Sequence, residues 1–110
     1  MFRHVAMFEW VEGVTPEQIA AVGEALFPLP AIIPEIRSFR FGPDAGLAEG
    51  NFDYAVTADF DDVDGFRAYR DHPDHRMVAR QVIGPILAAR AAVQFDAGIP
   101  PEAVEPLPEG

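Results

Sequence analysis

Cysteine and lysine are both missing from this chain of 110 residues. Without cysteine there is no disulfide, no thiolate nucleophile and no cysteine-ligated zinc, and without lysine there is no Schiff-base mechanism. No apolar run approaches the roughly 18 residues of a membrane-spanning helix, and no charged-then-apolar leader opens the sequence. We therefore expect a cytoplasmic protein with no membrane partner.

Basic residues are few: 8 Arg stand against 18 Asp and Glu, which gives a net charge of -10. Such a charge repels phosphate backbones, so we expect no nucleic-acid partner. The 49% hydrophobic content indicates a globular chain of one domain. We place this domain at residues 1–97 and expect residues 98–110, rich in Pro and Glu, to form a tail that is mobile unless a partner surface holds it.

Apolar and polar residues alternate with period two in several segments, which predicts strands. These strands run from Phe2 to Trp10, from about Ile36 to Phe41, from Phe52 to Phe60, and through Ala91, Val93 and Phe95.

Helices are predicted between the strands. Thr15 caps a helix that starts at Pro16 and ends near Leu26 or Phe27, before Pro28 and Pro30. Asp61 or Asp62 caps a second helix, which stops at His72-Pro73, and Pro73 opens a further helix that kinks or stops at Gly84-Pro85.

This order of elements predicts an α+β fold, a ferredoxin-like split βαβ unit with a four-stranded antiparallel sheet. Helices would cover one face of the sheet. An exposed apolar face of this size marks an interface, so we expect a homodimer that packs sheet against sheet into a dimeric α+β barrel. On that face we expect Val5, Met7, Ala55, Thr57, Ala92 and the Phe residues of the second strand.

Two of the three histidines lie in the short stretch from Tyr69 to His75, and the third, His4, lies in the first strand. Each residue has a structural interpretation beside the functional one: core packing for His4 and Tyr69, helix capping for His75, and a fixed helix junction for His72. A metal site on His72 and His75 is disfavoured, because Pro73 keeps them off one helical face and no third histidine follows.

Five features together resemble the stress-responsive A/B barrel, or Dabb, domain. They are the opening Phe2-Arg3-His4-Val5-Ala6-Met7-Phe8, the Thr15 cap, Ile33-Pro34, Gly42, and the Tyr69 to His75 segment. The resemblance implies a dimeric α+β barrel whose members have diverse activities. One plant member is a polyketide cyclase that closes a poly-β-keto chain by aldol chemistry.

Carried over from that cyclase, the resemblance makes His75 the general base, Tyr69 its assistant and His4 a residue of the same pocket. It implies no cofactor and no metal. A neutral imidazole can abstract the acidic proton between two carbonyls, and a phenol can donate a hydrogen bond to the enolate.

Three functions stay open from the sequence. The first is a cofactor-independent enzyme or binder of a small, apolar, carbonyl-bearing molecule. The second is a non-enzymatic stress-responsive oligomer, and the third is a cofactor-free oxygenase of aromatic substrates that uses His and Trp10. An enclosed cavity above about 300 Å³ that His75 reaches favours the first or third, and a filled core favours the second.

Overall fold

The computed structural model describes residues 1–98, in which four strands form one antiparallel sheet of order β2-β3-β1-β4. This is the predicted α+β, ferredoxin-like fold. Residues 99–110, which hold all but the first residue of the predicted tail, lie outside the described part. The elements in chain order are β1 Phe2–Trp10, α1 Pro16–Leu26, α2 Leu29–Ile32, β2 Ser38–Pro43, β3 Tyr54–Phe60, α3 Val63–Asp71, α4 Pro73–Met77, a π-helical segment Val78–Ile83, a 3-10 turn Gly84–Ile86, and β4 Leu87–Asp96.

The central strand β1 sets the two faces of the sheet, because successive side chains of a strand point to opposite sides. His4, Ala6, Phe8 and Trp10 are buried beneath the helices. Their partners across β3 and β4 share this face, since directly paired residues of antiparallel strands project together. His4 pairs with Ala58 on β3 and with Gln94 on β4.

The first helix begins as predicted. The Thr15 side chain accepts a hydrogen bond from the Gln18 backbone, and the Gln18 side chain accepts one from the Thr15 backbone. The helix ends at Leu26. The prolines that follow do not end helical structure, because proline fits the first turn of a new helix. The short helix α2 forms there and buries Leu29.

Helix α3 brings Tyr69 over the sheet. Asp62 is its cap, with the carboxylate accepting a hydrogen bond from the Gly65 backbone at 2.9 Å. A Cβ on Gly65 would stand 3.2 Å from the Cβ of Phe60, so glycine permits this close approach of helix to strand. Tyr69 lies one turn beyond Gly65 on the same helix face, and both are buried.

The helix after Pro73 is less regular than the sequence indicates. After five residues α4 passes into the π-helical segment, and the 3-10 turn at Gly84-Pro85 then leads into β4. Single π-helical turns often occur at functional sites. No helix within residues 1–98 is long and apolar enough to cross a bilayer.

The face of the sheet away from the helices differs in part from the prediction. Ala92 pairs with Ala6 and therefore lies on the helix side. Phe39 and Phe41 pair with Ala58 and Val56, so they also lie on the helix side. The residues that form the outer apolar face are Val5, Met7, Ala55, Thr57, Ala91, Val93 and Phe95.

We expect Asp62→Ala to lower the free energy of unfolding by about 1 kcal/mol, because the Gly65 N–H at the start of α3 loses its acceptor. Urea unfolding measures this. Asp62→Asn is the matched control, since it removes the charge and keeps an accepting oxygen, and it should stay close to wild type. Equal losses in both variants would show that charge, rather than the cap, stabilises this helix.

Candidate active site

A cavity of about 300 Å³ lies between the helix-side face of β1 and the chain from α3 to the π-helical segment. This volume is at the lower end of the range for small-molecule sites. Three of the lining residues are the predicted His4, Tyr69 and His75. The full lining is His4, Ala6, Phe8, Leu26, Val56, Tyr69, His75, Val78, Ala79, Ile83, Leu87 and Arg90.

His4 is held in the wall of this cavity as a neutral imidazole. It is 5% exposed, and burial, followed by the charges of Arg90 and His75, lowers its pKa to about 4. Its Nδ1 lies 2.8 Å from the side-chain nitrogen of Gln94. An amide nitrogen can only donate, so Nδ1 accepts and the ring hydrogen sits on Nε2. His4 is thus a hydrogen-bond donor to the cavity.

His75 has the opposite tautomer. Its Nδ1 lies 3.1 Å from the backbone oxygen of Arg70. A carbonyl oxygen can only accept, so Nδ1 carries the hydrogen and Nε2 of the neutral ring keeps its lone pair. Burial lowers the pKa of His75, and the hydrogen bond to Arg70 opposes this. Near neutral pH the ring is therefore uncharged and can accept a proton.

Tyr69 lies close to both histidines. The centre of its ring is 4.2 Å from that of His75 and 6.0 Å from that of His4. Burial raises the pKa of Tyr69, so the phenol stays protonated at neutral pH. Its hydroxyl makes no hydrogen bond within residues 1–98 and is not among their fully buried side-chain oxygens, because none of those lacks a partner. Since Tyr69 lines the cavity, the hydroxyl is available to a ligand there.

Two further residues singled out from the sequence do not join the cavity. His72 caps α4, and its Nδ1 accepts a hydrogen bond from the Asp74 backbone at 3.1 Å. Trp10, which the oxygenase hypothesis needs in the pocket, packs instead against Phe8 and Tyr54 and is absent from the lining.

Arg90 and Gln94 are functional candidates that sequence reasoning missed. Gln94 fixes the ring of His4, and Arg90 brings a positive charge to the cavity. Both lie on β4, on the helix side, opposite His4 and Phe8. Their place in the site follows from the pairing of β4 with β1. The alternation of residues within a single strand does not give that pairing.

The acidic residues and histidines of the described chain do not assemble into a metal site. No group of three such residues within residues 1–98 is arranged to hold a metal ion. The aspartates at the end of β3 and just after it are engaged in other contacts. Asp59 accepts hydrogen bonds from Arg3, Asp61 accepts them from Arg37, and Asp62 caps α3.

The sequence matches the stress responsive A/B barrel domain over residues 2–97. The chain therefore belongs to this family, as its residues predict. No curated protein matches the sequence.

Solved structures share the fold. A dimeric ferredoxin-like protein of unknown function from Thermobifida fusca is 56% identical, with a TM-score of 0.80 over 86% of this chain and 88% of that one. A dimeric ferredoxin-like protein of unknown function from Bacteroides fragilis is 26% identical, with a TM-score of 0.74 over 86% and 94%. A hydroxynitrile lyase from Passiflora edulis is 19% identical, with a TM-score of 0.75 over 90% and 96%, and at this identity only the fold is shared.

Burial of neutral His4 makes stability depend on pH. Its pKa is about 4 in the folded chain against an ordinary value of 6.5, so below pH 6.5 the unfolded chain binds a proton that the folded chain does not. Stability therefore falls as pH falls. The free energy of unfolding of wild type should therefore drop between about pH 7 and pH 5. In His4→Gln this drop should be smaller by roughly 1–2 kcal/mol.

Urea unfolding at the two pH values measures this difference. If His4→Gln keeps the pH dependence of wild type, His4 is not buried as a neutral ring.

Proposed function

We propose that this chain forms a homodimer in which each cavity binds a small, carbonyl-bearing molecule and removes a proton beside its carbonyl group, without a cofactor. His75 is the general base, and Tyr69 and His4 are donors to the enolate oxygen. One observation carries the proposal. In an otherwise largely apolar cavity, the Nε2 lone pair of His75 lies with two hydrogen-bond donors, the Tyr69 hydroxyl and the Nε2–H of His4.

His75 has the properties that a general base needs. Its Nε2 lone pair is left free because Nδ1–H is bound to the Arg70 carbonyl. That bond also fixes the ring in the tautomer that accepts a proton and favours the imidazolium once it forms. The lowered pKa of His75 keeps the base unprotonated at neutral pH.

Tyr69 and His4 supply hydrogen bonds where negative charge develops. When the α C–H bond breaks, its electron pair passes to the carbonyl oxygen, and preorganised donors stabilise that oxygen. In an aldol closure of the polyketide-cyclase type, the enolate carbon then forms a bond to a second carbonyl carbon. The resulting alkoxide takes the proton back from the His75 imidazolium, so the reaction is balanced without a cofactor.

The cavity, which His75 reaches and whose volume is at the threshold of about 300 Å³, supports this function over a non-enzymatic oligomer. A filled core would need no space beside His75. A space of about 300 Å³ corresponds to roughly ten water molecules in the liquid. It therefore suits a ligand of about that many non-hydrogen atoms.

The outer face of the sheet supports dimerisation. Met7, Val93 and Phe95 are 39%, 53% and 44% exposed there, and contiguous apolar surface of this kind is typical of interfaces. The similar proteins from Thermobifida fusca and Bacteroides fragilis are dimeric. A stable twofold interface would bury on the order of 800 Å² per subunit.

Met7→Glu should prevent the dimer, because it places a charge at the centre of the outer face. Light scattering at micromolar concentration should give about twice the chain mass for wild type and the chain mass for the variant. Met77→Glu is the matched control, since Met77 is 47% exposed on the helix side, and it should remain dimeric. A dimeric Met7→Glu would place the interface elsewhere.

His75→Ala should slow proton abstraction by roughly 10²- to 10⁴-fold. The probe is acetoacetamide in deuterated water, with loss of its methylene signal followed by NMR above a protein-free blank. His72→Asn is the control, since it removes a histidine outside the cavity and keeps a capping side chain at the start of α4, and it should keep the wild-type rate. Because burial lowers the pKa of His75, the wild-type rate should fall at a lower pH than the ordinary imidazole pKa of 6.5 would give. An unchanged rate in His75→Ala would overturn its role as the base.

A further inference from the structure

Arg90 lies in the wall of the cavity, on β4. It pairs with Phe8 and lies on the helix side of the sheet, whereas Gln94, the partner of His4, lies four residues further along the same strand. The cavity wall therefore combines the cation of Arg90 with the imidazole donor of His4.

The guanidinium of Arg90 has no carboxylate partner within residues 1–98. Four other arginines of this part do have one: Arg3, Arg37, Arg67 and Arg70 each lie within 4.0 Å of an Asp. Arg40, Arg76 and Arg80 share this lack of a carboxylate partner in the described part of the chain, but only Arg90 among these four lines the cavity. There its fixed fork of donors can bind a planar anion.

The lining of the cavity contains no Asp or Glu, although the chain has 18 such residues. Four other depressions of the described surface each include at least one Asp in their walls. A chain with a net charge of -10 repels anions at a distance. This cavity is an exception to that repulsion, because its charged wall residue is Arg90.

The charge of Arg90 also acts on the proposed catalytic groups. It contributes to lowering the pKa of His4 and of His75, and it opposes the burial that raises the pKa of Tyr69. Because the Arg90 charge acts on His4, His75 and Tyr69 alike, its guanidinium is close to the cavity that these three residues line.

We infer that Arg90 binds a carboxylate of the ligand and that the substrates of this site are small keto acids. The carboxylate would lie beside Arg90, with the carbonyl oxygen toward Tyr69 and His4 and the acidic carbon beside His75. This inference rests on the proposed function, because it names the substrate class of the same cavity. The arginine sets which molecules enter, and His75 sets what happens to them.

Binding of acetoacetate and of acetoacetamide tests the inference. The two probes have the same number of non-hydrogen atoms and differ in charge. Wild type should bind acetoacetate roughly 10- to 100-fold more tightly, as a charge-assisted hydrogen bond predicts. Arg90→Gln should abolish that preference, and Arg90→Lys should keep part of it. Arg80→Gln is the control, since it changes the net charge equally outside the cavity lining, and it should keep the wild-type preference.

The outcomes separate this inference from the proposed function. Equal affinity of wild type for the two probes, or a preference that survives in Arg90→Gln, overturns the carboxylate site, whereas exchange of acetoacetamide by His75 can still stand. A preference that disappears only with Arg90 supports the carboxylate site even where neither probe exchanges its protons. In that case proton abstraction fails and the anion site remains.

Discussion

The antiparallel pairing of β1 with both of its neighbours decides which side chains meet at the cavity. Because β1 is central, its register against β3 and β4 fixes the face of nearly every strand residue. A slip of one residue would turn His4 outward and bring Arg3 inward. On the outer face, the Arg3 guanidinium donates two hydrogen bonds to Asp59, at 2.7 Å and 3.1 Å, and this pair joins β1 to β3 in the observed register.

The helix layer supplies the other half of the site. Gly65 lets α3 lie close to the sheet, which brings the ring of Tyr69 to 6.0 Å from that of His4. The break at Pro73 turns the chain so that the Arg70 carbonyl, at the end of α3, accepts the Nδ1–H of His75. The tautomer of the proposed base is therefore set by a helix end, in the same way that Gln94 sets the tautomer of His4.

Much of this arrangement is visible in the sequence. Strict alternation in β1 places His4 among buried residues, and the Pro73 break sets Tyr69 and His75 on either side of one corner. Arg90 was not predicted, because the start of β4 reads Leu87-Ala88-Ala89-Arg90 and has no alternation to assign a face. Gln94 was not predicted, because Ala92, which shares its face, was expected to point away from the helices and instead lies on the helix side. The register shift opposite Glu9 and Trp10, and the π-helical turn, also leave no local signal; tertiary packing determines them.

The central claim is that a neutral His75 presents a free Nε2 to the cavity. Long-range ¹⁵N–¹H NMR of the histidine rings near neutral pH tests it most directly, because the two nitrogens of a neutral ring resonate apart and report the tautomer. We expect Nδ1 of His75 to carry the hydrogen, Nε2 to be unprotonated, and the Nε2 resonance to move when acetoacetate is added. A charged His75, a hydrogen on Nε2, or an Nε2 resonance unaffected by the ligand would contradict the claim.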